Sequence, residues 1–103
     1  MAKTLTALEI VEAFKAKGLK PKTFNIHVNH GKCCALGAIC ERDGIDNDDV
    51  VRMQYVKETY GPDFTHGIMN GFDFNYGSSP LAAYNDDYLN GFAIGQEVRR
   101  LVF

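Results

Sequence analysis

The sequence predicts a mainly α-helical fold: one compact domain over residues 1–103, built as a bundle of five to six short helices. Three observations lead to this prediction. Apolar residues recur at helical spacing in several segments, and glycine or proline separates those segments. The run Cys33–Cys40 is small and apolar all round, which is typical of a buried central helix. Two later segments each carry glycines at i and i+4, a spacing that permits close contact between helices.

Length and composition agree with one globular core. The chain has 103 residues, of which 46% are hydrophobic and 23% charged, an ordinary balance for a folded domain that is too small for two cores. Its net charge of −2 provides no electrostatic footprint for nucleic acid, so we expect no nucleic-acid partner. The N-terminus lacks a signal-peptide pattern, and no window is long enough to span a membrane, so we expect no membrane partner. An odd number of cysteines, three, favours reduced thiols in the cytoplasm.

The first helix is predicted from about Thr6 to Lys17. Thr6 and Glu9 have the spacing of a capping box. Gly18 suits the left-handed position after a helix, and Pro21 prevents the helix from resuming.

The next segment, 23–29, alternates between apolar and polar side chains. Phe24, Ile26 and Val28 fall on one side, which predicts a short strand near 23–29. Since no second strand is evident to pair with it, the alternative is an extended segment laid across the helices.

Cys33–Cys40 is the predicted central helix, in which Leu36 and Ile39 should be nearly fully buried. A polar loop follows it, and the third helix is predicted from about Asp48 to Tyr60, where Gly61-Pro62 ends it. The apolar stripe of the third helix comprises Val50, Met53, Val56 and Tyr60.

The second half of the chain repeats a short cassette. Met69-Asn-Gly-Phe72 and Leu89-Asn-Gly-Phe92 lie in helices predicted over about Asp63–Asp73 and Tyr88–Val102, the latter capped by Asp86 or Asp87. A short helix from Ser79 through Tyr84 is predicted between them.

Glycine within a helix costs about 1 kcal/mol relative to alanine, so the repeated glycines require a compensating contact. We predict that Gly67, Gly71, Gly91 and Gly95 line close helix crossings. Asn70 and Asn90 should hydrogen-bond beside the crossing, and Phe72 and Phe92 should be buried as equivalent anchors.

A metal site is the first chemistry to consider, because five candidate ligands lie close together in the sequence: His27, His30, Cys33, Cys34 and Cys40. Zinc requires a tetrahedral set, usually from paired short spacings. An extended segment would separate the two histidines, and Cys34 and Cys40 share no helix face. We therefore predict no metal and no cofactor.

A thiol nucleophile is the second possibility. Cys33 and Cys34 follow a lysine near a predicted helix start, a position that lowers a thiol pKa. His66 would be the base, oriented by Asp73 or Asn75. Because no oxyanion donor or family signature accompanies them, we assign no catalytic residue.

Two ion sites are weaker still. Gly31-Lys32 leads into a predicted helix, but the remainder of a phosphate-binding loop is missing. The acidic cluster 43–49 does not have the ligand spacing of a calcium loop in any frame. Both segments are more typical of turns and helix caps.

An interaction surface is the remaining possibility, because the second half of the chain is rich in aromatic residues. Tyrosine is enriched at interfaces, and the sequence places tyrosines at positions 55, 60, 76, 84 and 88. The C-terminal residues 101–103 either pack internally or seal a homodimer through the last helix.

The motifs Cys34-Ala-Leu-Gly-Ala38, Gly71-Phe-Asp73 and Asn90-Gly-Phe-Ala-Ile-Gly95 resemble a pattern in small uncharacterised bacteriophage and prophage proteins. This resemblance covers about two-thirds of the chain and implies no activity. It raises the expectation of a small phage-encoded protein that binds and modulates a host protein in the host cytoplasm.

The sequence thus leads to two hypotheses. The first is a small cytoplasmic protein-interaction module, as a phage-encoded modulator or inhibitor of a host protein. The second is a thiol- or metal-dependent enzyme that uses Cys33 or Cys34 with His66, or the pair His27 and His30.

Overall fold

A computed structural model describes residues 3–74 and 85–103, and it is mainly α-helical as predicted. Within these residues there are five helices and one two-stranded sheet. In chain order they are α1 (Ala7–Ala16), β1 (Lys20–Pro21), β2 (Lys32–Cys33), α2 (Ala35–Arg42), α3 (Asp49–Tyr60), α4 (Pro62–Asp73) and α5 (Asp86–Val102). The short helix predicted from Ser79 through Tyr84 lies outside the described residues. No helix in the described ranges is long and apolar enough to cross a membrane.

The start of α1 is confirmed in detail. The hydroxyl of Thr6 accepts a hydrogen bond from the backbone N–H of Glu9, and the Glu9 carboxylate accepts one from the Thr6 N–H. This reciprocal pair satisfies two N–H groups that no helical carbonyl can reach. After the helix, Gly18 has a φ of +63°, as predicted for a left-handed exit.

The predicted strand near 23–29 is wrong. The strands are Lys20–Pro21 and Lys32–Cys33, paired in parallel, and the chain between them is mainly turns and bends. Some of its backbone groups bond to backbone near β2, as Asn29 does with Lys32, and others bond to side chains. The Val28 N–H donates to Asn47 Oδ1 at 2.7 Å, and the Val28 carbonyl accepts from Asn47 Nδ2 at 3.0 Å. The segment therefore crosses the helices, which was the alternative prediction, but it is not regularly extended.

The central helix is confirmed, although α2 begins at Ala35, two positions later than predicted. Cys34 is its N-cap and Cys33 belongs to β2. Every residue from Ala35 to Cys40 is buried, and Leu36 and Ile39 are fully so. The helix contacts α1, α3 and α4, so its small side chains lie at the centre of the core.

The inward stripe of α3 differs from the prediction at one end. Val56 and Tyr60 are buried, but Val50 is 75% exposed. The fully buried residue near that end is Arg52, whose guanidinium bonds to the Glu41 carboxylate and four carbonyl oxygens. Those carbonyls belong to Ile26, Gly37, Ile45 and Asp46. Arg52 therefore ties the irregular segment, α2 and the following loop to α3.

Helices α4 and α5 pack in parallel, with their glycine pairs facing each other. A methyl group at Gly67 would approach the Tyr88 carbonyl to less than 3.0 Å, and one at Gly71 would approach that of Phe92 equally closely. Likewise, a methyl group at Gly91 would approach the Phe64 carbonyl to less than 3.0 Å, and one at Gly95 would approach the Ile68 carbonyl equally closely. Each glycine Cα–H thus points at a carbonyl oxygen of the other helix, a contact that recurs where helices meet closely.

The side chains of the cassettes follow this arrangement in part. Phe72 and Phe92 are both buried, as predicted. Asn70 donates a hydrogen bond through Nδ2 to the Tyr88 hydroxyl at 2.8 Å, also beside the crossing. Asn90 is exposed, and its side chain forms no hydrogen bond with any residue in 3–74 or 85–103, so the predicted bond is not found there. The aligned glycine pairs place the second cassette one helical turn out of step with the first. Asn90 consequently lies beside Asp63 and Phe64 at the start of α4, at the surface.

Candidate interaction site at Phe24

Phe24 has two unusual properties at once. Its side chain is 69% exposed, and its backbone has a φ of +67°. A positive φ brings the Cβ of an L-residue close to its own backbone, at a cost of roughly 1–2 kcal/mol. Bulky residues are rare there, and such conformations are concentrated at binding and active sites. Phe24 is thus a bulky apolar residue that the irregular segment holds exposed in a conformation that costs folding energy.

Asp73, the last residue of α4, holds the Phe24 backbone in place. The Phe24 N–H donates a hydrogen bond of 2.9 Å to Asp73 Oδ1. Burial raises the pKa of Asp73 above its usual value, although this hydrogen bond and the charge of Arg99 act in the opposite direction. A partly desolvated carboxyl group therefore anchors the turn that presents the Phe24 ring.

The Phe24 ring stands beside a cleft of about 220 Å³ between the irregular segment, α3 and α4. We call this the Phe24 cleft. Met53 and Met69 supply flexible side chains to its lining, and Phe74 meets Phe24 edge-on with ring centroids 6.3 Å apart. The full lining comprises Phe24, Ile26, Cys34, Asp49, Met53, Met69 and Asp73.

A histidine–carboxylate pair lies at the rim of the cleft. Asp49 at the start of α3 contacts His27 Nδ1 through Oδ1 at 2.5 Å, and both side chains remain partly exposed. The pair joins the irregular segment to α3 and so helps to fix the wall opposite Asp73. With Asp49 engaged in this way, the floor of the cleft is mainly apolar.

The thiols are unsuited to nucleophilic chemistry. Cys33, Cys34 and Cys40 are all buried and free. Burial raises the pKa of each to about 12, so the thiolate is scarce at neutral pH. The proposed base, His66, lies exposed on α4 with its ring edge-on to Tyr88 at 5.8 Å. The proposed orienting group Asp73 bonds to Phe24 instead, and Asn75 lies outside the described residues.

The residues of the metal, calcium and phosphate sites considered from sequence have other places in the structure. Across residues 3–74 and 85–103, no three His, Cys, Asp or Glu side chains converge as a metal site would require. Asp48 caps α3 through the Val51 N–H, and Asp43 accepts hydrogen bonds from Arg42, Tyr55 and Tyr60. His30 and Gly31 occupy a tight turn with positive φ angles, and Gly31-Lys32 does not open a helix.

Among residues 3–74 and 85–103, the exposed large aromatic side chains are Phe24, Phe74 and Phe103, and none of them is a tyrosine. Tyr60 and Tyr88 are buried and Tyr55 is partly so, whereas positions 76 and 84 lie outside the described residues. The alternation in 23–29 predicts that Phe24 lies on the same side as Ile26, which is buried, so the sequence carries no signal for the exposure of Phe24. The chain matches no protein-family model, no curated protein and no solved structure, and the function must be argued from this geometry.

Proposed function

We propose that this protein is a small protein-interaction module that binds its partner through the Phe24 cleft. The observation that carries the proposal is Phe24 itself, a bulky aromatic ring held exposed in a strained backbone conformation. Aromatic and methionine side chains are enriched at protein interfaces, and anchor residues commonly fill apolar pockets. The buried thiols, with their raised pKa values, make the enzyme hypothesis the weaker of the two.

The resemblance to small phage proteins suggests a biological setting for such a module. A protein of this size that offers a binding surface can act by occupying a site on a host protein. We therefore propose a phage-encoded modulator or inhibitor in the host cytoplasm as the working role.

The test uses Phe24→Asn, because asparagine tolerates a positive φ and leaves the backbone bond to Asp73 intact. We expect the variant to keep or gain stability, by up to about 1 kcal/mol, since relief of strain outweighs the loss of the Phe74 contact. Urea unfolding would measure this. A loss above about 2 kcal/mol would assign Phe24 a structural role.

Binding is tested in parallel by affinity capture from the cell that expresses the gene, with quantitative mass spectrometry. A specific partner should be captured by the wild type and lost with Phe24→Asn. Leu8→Gln is the matched control, because Leu8 is 65% exposed on α1 and is not part of the cleft. A captured protein that Phe24→Asn retains as well as the wild type would contradict this site.

A further inference from the structure

The strongest feature outside the cleft is an unbalanced distribution of charge. Between Glu12 and Glu41 the chain contains no acidic residue and five lysines. All five are exposed, and none forms an ion pair with any residue in 3–74 or 85–103. They are Lys15, Lys17, Lys20, Lys22 and Lys32.

Two of these lysines project from the small sheet, and a third follows it directly. Lys20 and Lys32 are register partners on the two parallel strands, so their side chains leave the same face about 4.8 Å apart. Their neighbours Pro21 and Cys33 point inward. Lys22 continues the outward side of β1, and its exposed side chain precedes Phe24 by two residues. We call Lys20, Lys22 and Lys32 the lysine face.

Like charges on adjacent strands repel and weaken a sheet. Repulsion between these lysines therefore lowers the stability of the isolated chain. The positive φ of Phe24 lowers it as well. Because Lys22 lies only two residues before Phe24, an acidic partner seated at the Phe24 cleft would come within reach of this positive charge and relieve the repulsion.

From this arrangement we propose that the partner is an acidic protein segment, with an apolar anchor in the Phe24 cleft and carboxylates on the lysine face. The inference rests on the proposed protein-binding function and names the chemistry of the partner. Charge complementarity of this kind raises the association rate and discriminates against wrong partners.

A nucleic acid is the other anion that lysines and an exposed ring can bind. The cleft disfavours it, because each base carries its own phosphate, which would come close to Asp49 and Asp73, whereas a peptide can keep its carboxylates on the lysine face. A protein anchor fits better, since Met53, Met69 and Ile26 give the cleft an apolar lining.

The test pans the full chain against a random peptide library displayed on yeast, at low salt, with Phe24→Asn for counter-selection. We expect the recovered peptides to carry several Asp or Glu residues beside one apolar residue. Synthetic copies should bind Lys20→Glu/Lys32→Glu at least about tenfold more weakly than the wild type. High salt should reduce that difference, because exposed charges are screened.

The matched control is Lys3→Glu/Lys57→Glu, which changes the net charge equally at exposed lysines outside the lysine face. We expect it to weaken binding less than about twofold. Reversal of both Lys20 and Lys32 keeps a like-charged pair, so the fold should be retained, and urea unfolding would check this.

The outcomes separate the two proposals. Peptides that depend on Phe24 but are neither acidic nor sensitive to the lysine reversal would overturn the acidic partner and leave the binding site standing. If no recovered peptide depends on Phe24, the proposed function fails as well. Stronger binding to fluorescein-labelled oligothymidylate or phosphatidylserine vesicles than to the peptides would also overturn the acidic protein partner.

Discussion

At the scale of single residues, the side chains that look reactive in the sequence are set by their surroundings: the three thiols are buried, and His27 contacts Asp49. A histidine or cysteine acquires chemistry from its surroundings, and here the surroundings are apolar packing for the thiols and an aspartate for His27. Conversely, Phe24 belongs to no sequence motif, yet it combines an exposed ring with a positive φ angle. Its exposed position is held by a backbone angle and a hydrogen bond with Asp73, which lies far along the chain.

We expect the three thiols to react slowly with a thiol-specific reagent in the native state and rapidly after denaturation. Burial and a pKa of about 12 both suppress the thiolate. We also expect the purified protein to retain no stoichiometric zinc. One thiol that reacts rapidly without denaturant, or one zinc per chain whose chelation unfolds the protein, would reinstate the enzyme hypothesis.

Asp73 should make stability depend on pH in a defined direction. Its pKa is higher in the folded state than the ordinary value of 3.8, so its contribution to stability is fully present below that value. The contribution is lost as pH rises through the folded pKa. Asp73→Asn keeps an acceptor for the Phe24 N–H without the charge, so its stability should gain on the wild type as pH rises above about 4. Urea unfolding at several pH values would measure the difference.

The opposite pH trend would have a specific meaning. If Asp73→Asn loses stability relative to the wild type as pH rises, the Phe24 N–H and the charge of Arg99 stabilise the carboxylate more than burial opposes it. The carboxyl group would then act as an ionised anchor for the Phe24 turn.

At the scale of the elements, the parallel pair α4 and α5 depends on glycine for its close approach. Parallel helices place like dipole ends together, so the pair needs compensating groups at both ends. Asp63, Asp86 and Asp87 lie in the first turns, and Arg99 donates to the Phe72 carbonyl at the end of α4. Gln96 Nε2 adds a hydrogen bond of 2.7 Å to the Gly71 carbonyl.

We expect Gly71→Ala to destabilise the protein by about 1–3 kcal/mol, despite the better helix propensity of alanine. The new methyl group would meet the Phe92 carbonyl, which is backbone and cannot rotate away. Gly91→Ala should behave alike, because it meets the Phe64 carbonyl. Thermal unfolding would measure both.

The control for helix propensity is Ala93→Gly at an exposed position of α5. It should cost about 0.5–1 kcal/mol through propensity alone. If Gly71→Ala were instead more stable than the wild type, the helices would not be in tight contact at this point.

At the scale of the whole molecule, α2 and Arg52 hold the parts together. The helix lies among α1, α3 and α4, and the Arg52 guanidinium satisfies carbonyls that no helix or strand partner reaches. A bundle with one central apolar helix should be sensitive to any cavity made in that helix, because a domain of this size has about 5–15 kcal/mol of stability.

We expect Leu36→Ala to cost about 2–5 kcal/mol, because Leu36 is fully buried at the centre of the core. Leu89→Ala is a suitable control. Because Leu89 is 39% exposed on α5, this variant should lose much less stability than Leu36→Ala. Denaturant midpoints compare the two. A Leu36→Ala midpoint equal to that of the wild type would show that α2 is not central.

Local chemistry in the sequence by itself determined the mainly helical fold, the capping box of α1, the burial of the Cys33–Cys40 run and the close contact of the repeated glycines. The pattern that predicts each of these features lies within a few positions of the chain, so spacing and propensity are sufficient to predict it, although the contacts themselves join distant segments. Tertiary structure alone decided that Arg52 is buried, that 23–29 is irregular and that Phe24 is exposed. Those outcomes depend on partners distant in sequence. The backbone N–H groups of Phe24 and Val28 bond to the side chains of Asp73 and Asn47, so the segment 23–29 needs no neighbouring strand at these positions.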